Sequence, residues 1–248
     1  MLVAAAVLPH PPLLVPAVAA DAAPELDDLR AACRSALADL RSSSPDLLAV
    51  VGAGLREREF AAGSKGSLRP FGVDLDVRTP DVGRPDAAVV DAVTGDGGEP
   101  LPLSLTVAAW FLDDVGWEGP VLFYSVPSVL PASDAVAVGR ALATRAPRVA
   151  MLAMGDGSAG LSEQAPAHLV PGAAAWQEQV SQGLGTPATQ QILRWTTADA
   201  SRFAASGLAA WQVVAGAASD QEWSASLLSD SAPYGVAYPV ASWRRVHP

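Results

Sequence analysis

His10, Pro11 and Pro12 follow directly after the apolar run Leu2–Leu8 and have the residue types of a ligand-binding loop. An imidazole just after a buried strand is well placed to bind a metal ion or a small molecule, and the two prolines restrict the loop. The 248 residues include only three histidines and one cysteine, namely His10, His168, His247 and Cys33. This count nearly excludes a site that needs several imidazole or thiolate ligands. The alternative role for His10 is a hydrogen bond from its ring to a backbone carbonyl, which would only close the turn.

The segment Gly155-Asp156-Gly157-Ser158 follows a second apolar run, Val149–Met154. Asp156 and Ser158 are typical turn and helix-cap residues, and they also carry the polar groups of a binding site. A serine after a buried strand can also be a hydrolase nucleophile, although aspartate stands where the Gly-x-Ser-x-Gly motif requires its first glycine. Such a nucleophile would take His168 or His10 as its base. A rebuilt site of His10, Asp156, Ser158 and His168 is therefore the enzymatic alternative.

A third loop, Gly52-Ala53-Gly54, follows the apolar residues 47–51. Its first two glycines match the start of a dinucleotide-binding fingerprint, but Glu57 stands where the third glycine belongs. Because the third glycine allows close packing of helix on strand, we reject a dinucleotide site. Gly52 and Gly54 remain candidates for the lining of a cleft.

Short apolar runs alternate with longer helical patterns along the chain, which predicts a three-layer α/β/α domain around a central, mostly parallel, mixed sheet. Continuous apolar runs predict buried strands at 2–8, 47–51, 121–124 and 149–154, and a last strand is expected at 234–240. Helical patterns cover 24–40, 103–115, 133–145, 173–184 and 201–217, with Ser133 and Thr186 as expected N-caps. The stretch 79–102 is rich in Pro, Gly and Asp and predicts a long surface excursion within one domain, 1–248.

Ligands of such folds bind beyond the carboxyl ends of the parallel strands. The three loops described above all lie at that end of their predicted strands. We therefore expect His10, Gly52, Gly54, Asp156 and Ser158 to line one concavity.

The formal net charge of −10 argues against nucleic acid or an anionic membrane as partner, because both require a basic face. The apolar N-terminus has no Lys or Arg before Arg30 and is interrupted by prolines, so it does not read as a signal peptide. A single cysteine cannot form an internal disulfide, and Cys33 is expected to be a packing residue. These features predict a cytoplasmic protein. The seven tryptophans are large enough to contribute to a core or to an interface between copies of the chain.

Three segments, in the same order along the chain, resemble the class III extradiol ring-cleavage dioxygenases, the LigB-like superfamily with its Memo-like relatives. Leu8-Pro9-His10-Pro11-Pro12 resembles the first metal-ligand loop of that family. Gly155-Asp156-Gly157-Ser158 resembles its Gly-Asp-x-Ser-His segment. Residues 232–238, which include Tyr234, resemble its final strand with a Tyr/Phe-Gly-x-x-Tyr pattern. The resemblance extends over the length of the chain.

The resemblance implies an iron site that this sequence does not complete. Relatives hold Fe(II) with two histidines and a glutamate, and a further histidine transfers protons. His10 matches the first ligand, but the second falls within residues 52–55, where no histidine occurs. Ala159 stands at the proton-transfer histidine and Ala205 at the glutamate. The resemblance thus implies a relative that lacks its metal and any other cofactor, with His10 as a lone remaining ligand.

These observations predict a non-catalytic LigB-like protein that binds a small molecule or a protein partner through the inherited cleft, lined by His10, Pro11, Asp156, Ser158 and Tyr234. A divergent dioxygenase-like or hydrolytic enzyme with the rebuilt site is the alternative.

We expect no extradiol ring cleavage by the purified protein, because the groups for oxygen activation and proton transfer are missing. The measurement is the absorbance of ring-opened product after incubation with catechol and Fe(II) in air, with Fe(II) alone as the control. Ring opening that depends on both protein and iron would contradict this reading.

Overall fold

The computed structural model describes residues 1–80, 99–219 and 221–246. The strands are β1 (Leu2–Leu8), β2 (Leu47–Gly54), β3 (Arg58–Phe60), β4 (Lys65–Ser67), β5 (Asp76–Arg78), β6 (Val121–Pro127), β7 (Val149–Met154), β8 (Trp223–Ser231) and β9 (Tyr238–Arg245). The α-helices are α1 (Pro16–Ala19), α2 (Asp27–Ser42), α3 (Leu103–Asp114), α4 (Ala132–Ala143), α5 (Ala173–Gly185), α6 (Thr189–Arg194), α7 (Thr197–Arg202) and α8 (Leu208–Ala218). Short 3-10 segments lie at Pro12–Leu14, Ala20–Leu26 and Arg69–Phe71.

A seven-stranded mixed sheet in the order β3-β6-β2-β7-β1-β9-β8 forms the centre of the fold. Its four inner strands, β6, β2, β7 and β1, are parallel. The outer strands β3, β9 and β8 pair antiparallel with their neighbours. β4 and β5 form a separate antiparallel pair. The predicted three-layer α/β/α class is confirmed, and all five predicted strands contribute to this one sheet.

Each face of the sheet carries its own apolar cluster. On β1, Val7 belongs to the cluster under α4, α5 and α8, whereas Ala6 and Leu8 belong to the cluster under α2 and α3. This alternation follows from the two-residue period of a strand, and it explains why the inner strands are continuous apolar runs. Cys33, a residue of α2, is fully buried, as expected for a packing residue.

The structure sorts the seven tryptophans between core and surface. Trp211 and Trp243 are among the largest fully buried side chains. Trp117, Trp176 and Trp195 are also buried, whereas Trp110 and Trp223 are partly exposed. Most of the tryptophans are therefore core residues.

Helix α8 packs closely against α4, because small residues stand at the crossing. All eleven of its residues are buried. A Cβ atom added to Gly139 of α4 would lie 2.0 Å from the carbonyl oxygen of Val213 in α8. From the other side, a Cβ atom on Gly216 would lie 2.5 Å from the Cα atom of Val136. The alanine and glycine content of these helices thus sets how near they approach.

Several predicted boundaries were wrong. The helix expected at 201–217 is two helices, α7 and α8, separated by residues 203–207. Ala204 has a φ of 50°, which a helix does not tolerate. The last strand begins at Tyr238 rather than at 234, because residues 234–237 turn through Gly235 with a φ of 73°. Both errors arise where the chain turns to reach another loop.

The helix expected at 24–40 is the regular α2 only from Asp27, since the preceding Ala20–Leu26 is 3-10 helical with a proline inside it. Both expected N-caps were wrong. The N-cap of α4 is Pro131, and the Ser133 hydroxyl donates to Asp134 instead. Thr186 lies at the other end of a helix, as the C-cap of α5, and its hydroxyl donates to the Gln182 carbonyl.

Most of the predicted surface excursion 79–102, residues 81–98, lies outside the described residues. Of the helices in the described ranges, none has the length and apolarity needed to cross a membrane.

We expect Gly139→Ala to lower the free energy of unfolding by about 2–3 kcal/mol, because the added methyl group must push α8 away from α4. Ser133→Ala, at an exposed position of the same helix, is the matched control and should change stability by less than about 0.5 kcal/mol. Chemical denaturation monitored by tryptophan fluorescence measures both. Equal stability of the two variants would show that the α4–α8 contact does not limit the size of the side chain at position 139.

Candidate functional site

The register of three neighbouring strands brings the predicted loops to the same edge of the sheet. Leu8 of β1 pairs with Met154 of β7, and Met154 pairs in turn with Gly52 of β2. The loops that follow these residues therefore leave the sheet side by side at its carboxyl edge. Strand β9 runs antiparallel to β1, with Val7 opposite Ala241, so the start of β9 reaches the same edge.

His10 and Asp156 are in direct contact at this edge. The backbone N–H of His10 donates to Asp156 Oδ1 at 2.8 Å. The His10 Nδ1 atom lies 3.7 Å from the same oxygen, and the two side chains are 10% and 16% exposed. Nδ1 is buried and has no hydrogen-bond partner, so the exposed part of the ring lies on its other atoms. The side of the ring away from Asp156 is therefore the side that can contact a ligand.

Backbone hydrogen bonds hold the loop that carries Asp156 on both sides. The Gly155 N–H donates to the Leu8 carbonyl, and the Gly157 N–H donates to the Ala237 carbonyl, each at 2.8 Å. The Gly207 N–H donates to the Asp156 carbonyl at 3.0 Å. The loop is therefore tied to the ends of β1 and β9 and to the start of α8, which fixes the position of the carboxylate.

Neither Gly155 nor Gly207 has space for a side chain. A Cβ atom on Gly155 would lie 2.2 Å from the Cα atom of Gly207, where no side chain fits. The ring of Trp211 occupies the space next to Gly207. Sequence reasoning placed Gly207 inside a helix, although a glycine preceding an apolar helix could have signalled this approach.

Gly52 and Gly54 end β2 as expected, but serine side chains fill the space beside them. A Cβ atom on Gly52 would lie 2.4 Å from Ser104 Oγ, and one on Gly54 would lie 2.7 Å from Ser125 Cβ. The Ser104 hydroxyl donates to the Ala53 carbonyl at 2.8 Å. At the position of the family's second ligand, small side chains are thus packed against glycine.

Tyr238 is the site residue that sequence reasoning missed, although it closes the Tyr-Gly-x-x-Tyr pattern. It is buried at the start of β9. Burial, and then the negative charge of Asp156, raise the pKa of its phenol above the ordinary value. The phenol therefore stays protonated and offers an O–H donor near Asp156. Burial also raises the pKa of the Cys33 thiol, which stays protonated in the core.

Ser158 is a structural residue in this loop. It is fully buried, and its hydroxyl donates to the Phe203 carbonyl at 2.8 Å while accepting from the Gly160 N–H at 3.2 Å. Its own N–H donates to Gln177 Oε1 at 3.0 Å. A serine nucleophile needs a hydroxyl that faces substrate and a histidine base. The predicted hydrolytic arrangement of Ser158 with His10 or His168 is not assembled.

The remaining predicted residues lie in separate surroundings. His168 is exposed, with its Nδ1 atom 3.2 Å from the Glu163 carbonyl. Tyr234 is half-buried and donates its hydroxyl to Glu25 Oε2 at 2.9 Å. Pro11 is buried next to His10. His247 lies outside the described residues. The structure therefore brings together His10, Asp156 and Tyr238, with Gly52 and Gly54 at the same edge.

The side chains at this edge do not fit the Fe(II) that the resemblance implies. A facial iron site takes two imidazoles and one carboxylate, all converging on one point. His10 offers one imidazole, whereas Gly52, Ala159 and Ala205 offer no donor atoms at the other family positions. Within the described ranges, no three His, Cys, Asp or Glu side chains form a group that could hold a metal ion.

Comparison with known proteins supports the fold. No family model and no curated protein matches the chain. Among solved structures, it is similar to the uncharacterized protein JW3007 from Escherichia coli K12, with a TM-score of 0.60 and 18% sequence identity. The similarity covers 98% of this chain and 99% of that chain. At this level of identity, the two proteins share a fold.

We expect Ser158→Ala to lower the free energy of unfolding by about 1–3 kcal/mol, because the Phe203 carbonyl and the Gly160 N–H lose their buried partner. Ser226→Ala, at an exposed position of β8, should leave stability unchanged. Denaturant titration compares the two. If Ser158→Ala kept full stability and removed an esterase activity of the wild-type protein, the structural role would be refuted.

Proposed function

We propose that this protein is a non-catalytic relative of the LigB-like dioxygenases that binds a small hydroxylated molecule at the carboxyl edge of its sheet. The contact between His10 and Asp156 carries the proposal. A nine-tenths buried imidazole with an unpartnered nitrogen stands beside a carboxylate, where parallel sheets place their ligands.

The chemistry of the three site residues favours a ligand with hydroxyl groups. Asp156 and the His10 ring supply acceptors for a hydroxyl hydrogen, and the protonated Tyr238 supplies a donor for a hydroxyl oxygen. Leu55, directly after β2, and Val129, shortly after β6, are exposed at the same edge. A flat molecule with an apolar body and one or two hydroxyls matches this combination.

The proposed lack of catalysis rests on the residue types at the positions where the resemblance implies catalytic groups. The family's proton-transfer position is Ala159, and its carboxylate position is Ala205. Neither methyl group can coordinate an ion or transfer a proton. The packing of Ser104 against Gly52 also leaves no room there for an imidazole without rearrangement of α3.

The alternative is a divergent enzyme with a rebuilt site, and the metal content of the purified protein distinguishes the two proposals. Elemental analysis of protein purified without a His-tag should find no stoichiometric Fe, Zn or Mn if the proposal is right.

The compartment that we propose is the cytoplasm, because one buried cysteine suits a reducing environment. The other kind of ligand predicted from the sequence is a protein partner, which would contact the exposed Leu55 and Val129.

We expect catechol, used as a probe, to bind the wild-type protein, and His10→Ala and Tyr238→Phe each to weaken that binding about fivefold, since one hydrogen bond is worth about 1 kcal/mol. His10→Ala should change the free energy of unfolding by only about 1 kcal/mol. His168→Ala is the matched control and should leave affinity unchanged. Titration calorimetry and thermal unfolding give the two quantities.

Equal affinities of the wild type and His10→Ala would refute binding at this edge. So would a large loss of stability in His10→Ala with unchanged affinity, because His10 would then be a structural residue. Absence of catechol binding in the wild type would refute the proposed ligand class.

A further inference from the structure

A cavity at the amino edge of the sheet holds chemistry that the proposed function does not use. It has a volume of about 340 Å³ and lies where two segments of the chain lead into β2 and β6, which are parallel neighbours. Because parallel strands begin at the same edge, this is the edge opposite to His10 and Asp156. We call it the amino-edge cavity, and its walls include Arg41, Ser44, Pro45, Trp117, Glu118 and Gly119.

Two side chains of opposite charge line this cavity without pairing. Arg41 and Glu118 are both exposed there. Among the ion pairs of the described residues, none includes either of them. Opposite charges that share a concavity without meeting leave a gap, and a small molecule that carries both charges can span it.

Hydrogen bonds and a ring contact hold Arg41 in position. Its Nη2 atom donates to the carbonyl oxygens of Val115 at 2.8 Å and Gly116 at 2.9 Å. The guanidinium carbon lies 5.6 Å from the centre of the Trp117 ring. In the described part of the chain, Nη2 is the one Arg41 nitrogen that donates, so Nε and Nη1 keep N–H groups for a ligand. A guanidinium held in this way is a typical carboxylate-binding group.

An unpartnered N–H group beside Arg41 points independently to a ligand. Trp117 is 8% exposed, and its Nε1 atom is buried without a hydrogen-bond partner among the described residues. A Cβ atom added to Gly119 would have this Nε1 atom, at 3.2 Å, as its nearest neighbour outside the adjacent residues. The N–H edge of the indole therefore faces the space beside Gly119, another wall of the cavity. A buried N–H group without an acceptor is costly, and a carboxylate oxygen can supply that acceptor.

A serine hydroxyl adds a third donor. The Ser42 hydroxyl donates to the Asp39 carbonyl, and the Ser43 hydroxyl donates to the Leu40 carbonyl. Ser44 is exposed and lines the cavity, and within the described ranges its hydroxyl forms no hydrogen bond. Two of the three adjacent serines therefore close the end of α2, whereas the third offers its hydroxyl to the cavity.

We propose that the amino-edge cavity binds a small α-amino acid, with its carboxylate between Arg41 and Trp117 Nε1 and its ammonium group at Glu118. A carboxylate only accepts hydrogen bonds, which matches the donors of Arg41, Trp117 and Ser44. An ammonium group only donates, which matches Glu118. A simple anion would be repelled by Glu118 and by the net charge of −10, whereas an amino acid has no net charge. Pro45 supplies an apolar wall for a short side chain.

The proposed amino-acid site does not depend on the hydroxyl-binding edge. The two lie at opposite ends of the parallel strands and share no residue. His10→Ala should therefore leave amino-acid affinity unchanged, even if the hydroxyl-binding edge proves to bind nothing.

L-Alanine tests the proposal, with propionate as the analogue without its ammonium group and isopropylamine as the analogue without its carboxylate. In nitrogen-15 labelled protein, the indole N–H signal of Trp117 is the one of seven that is missing from Trp117→Phe. We expect L-alanine to shift this signal saturably and to bind about tenfold more tightly than either analogue.

Three substitutions separate the groups of the site. Arg41→Gln removes the charge, and Gly119→Ala places a methyl group beside Nε1, so each should weaken L-alanine at least about fivefold. Glu118→Gln should weaken L-alanine but not propionate, because only the ammonium group contacts this carboxylate. Gly119→Ala also moves the Trp117 signal, so it identifies that signal if Trp117→Phe fails to fold.

Arg202→Gln is the matched control, because Arg202 also lies over an aromatic ring, that of Phe203 at 5.1 Å, and does not line the cavity. It should leave L-alanine affinity unchanged. The proposal is overturned if L-alanine binds no more tightly than its two analogues, or if the Trp117 signal does not move. It is also overturned if Arg202→Gln weakens L-alanine as much as Arg41→Gln does, because the attraction would then come from overall charge.

Discussion

The contact between the loop at Gly155 and the start of α8 is the constraint on which the candidate site depends. A Cβ atom at Gly155 would collide with the Gly207 backbone, and one at Gly207 would collide with the Trp211 ring. Their approach allows the Gly207 N–H to reach the Asp156 carbonyl. The carboxylate of Asp156 is then free to accept from the His10 backbone. Two glycines that are distant in sequence thus help to set the position of the Asp156 side chain.

The backbone N–H groups of Gly155, Asp156, Gly157 and Ser158 all donate hydrogen bonds, which holds the Asp156 loop in place. Ser158 and Gln177 extend this network into the core, and Ser181 carries it on to Asp230 at the edge of the sheet. This network therefore links the Asp156 loop to the sheet edge at β8.

The positions at which the resemblance implies metal ligands are occupied by small residues in close packing. Glycine or alanine stands where donor atoms would be needed, and neighbouring hydroxyls fill part of the space. Ser104 bonds to the Ala53 carbonyl beside Gly52, and Ser125 bonds to the Arg56 carbonyl beside Gly54. Each hydroxyl thus satisfies a backbone acceptor near the end of β2.

From sequence alone, the apolar runs determined the inner strands, because a strand that is buried on both faces consists mainly of apolar residues. The scarcity of histidine led to the prediction that a multi-histidine centre is absent. Only the tertiary structure decided that residues 203–207 break a helix, that β8 adds an edge strand, and that Tyr238 rather than Tyr234 lies by Asp156. These features depend on contacts between distant segments, such as Gly155 with Gly207, which leave no periodic pattern in the local sequence.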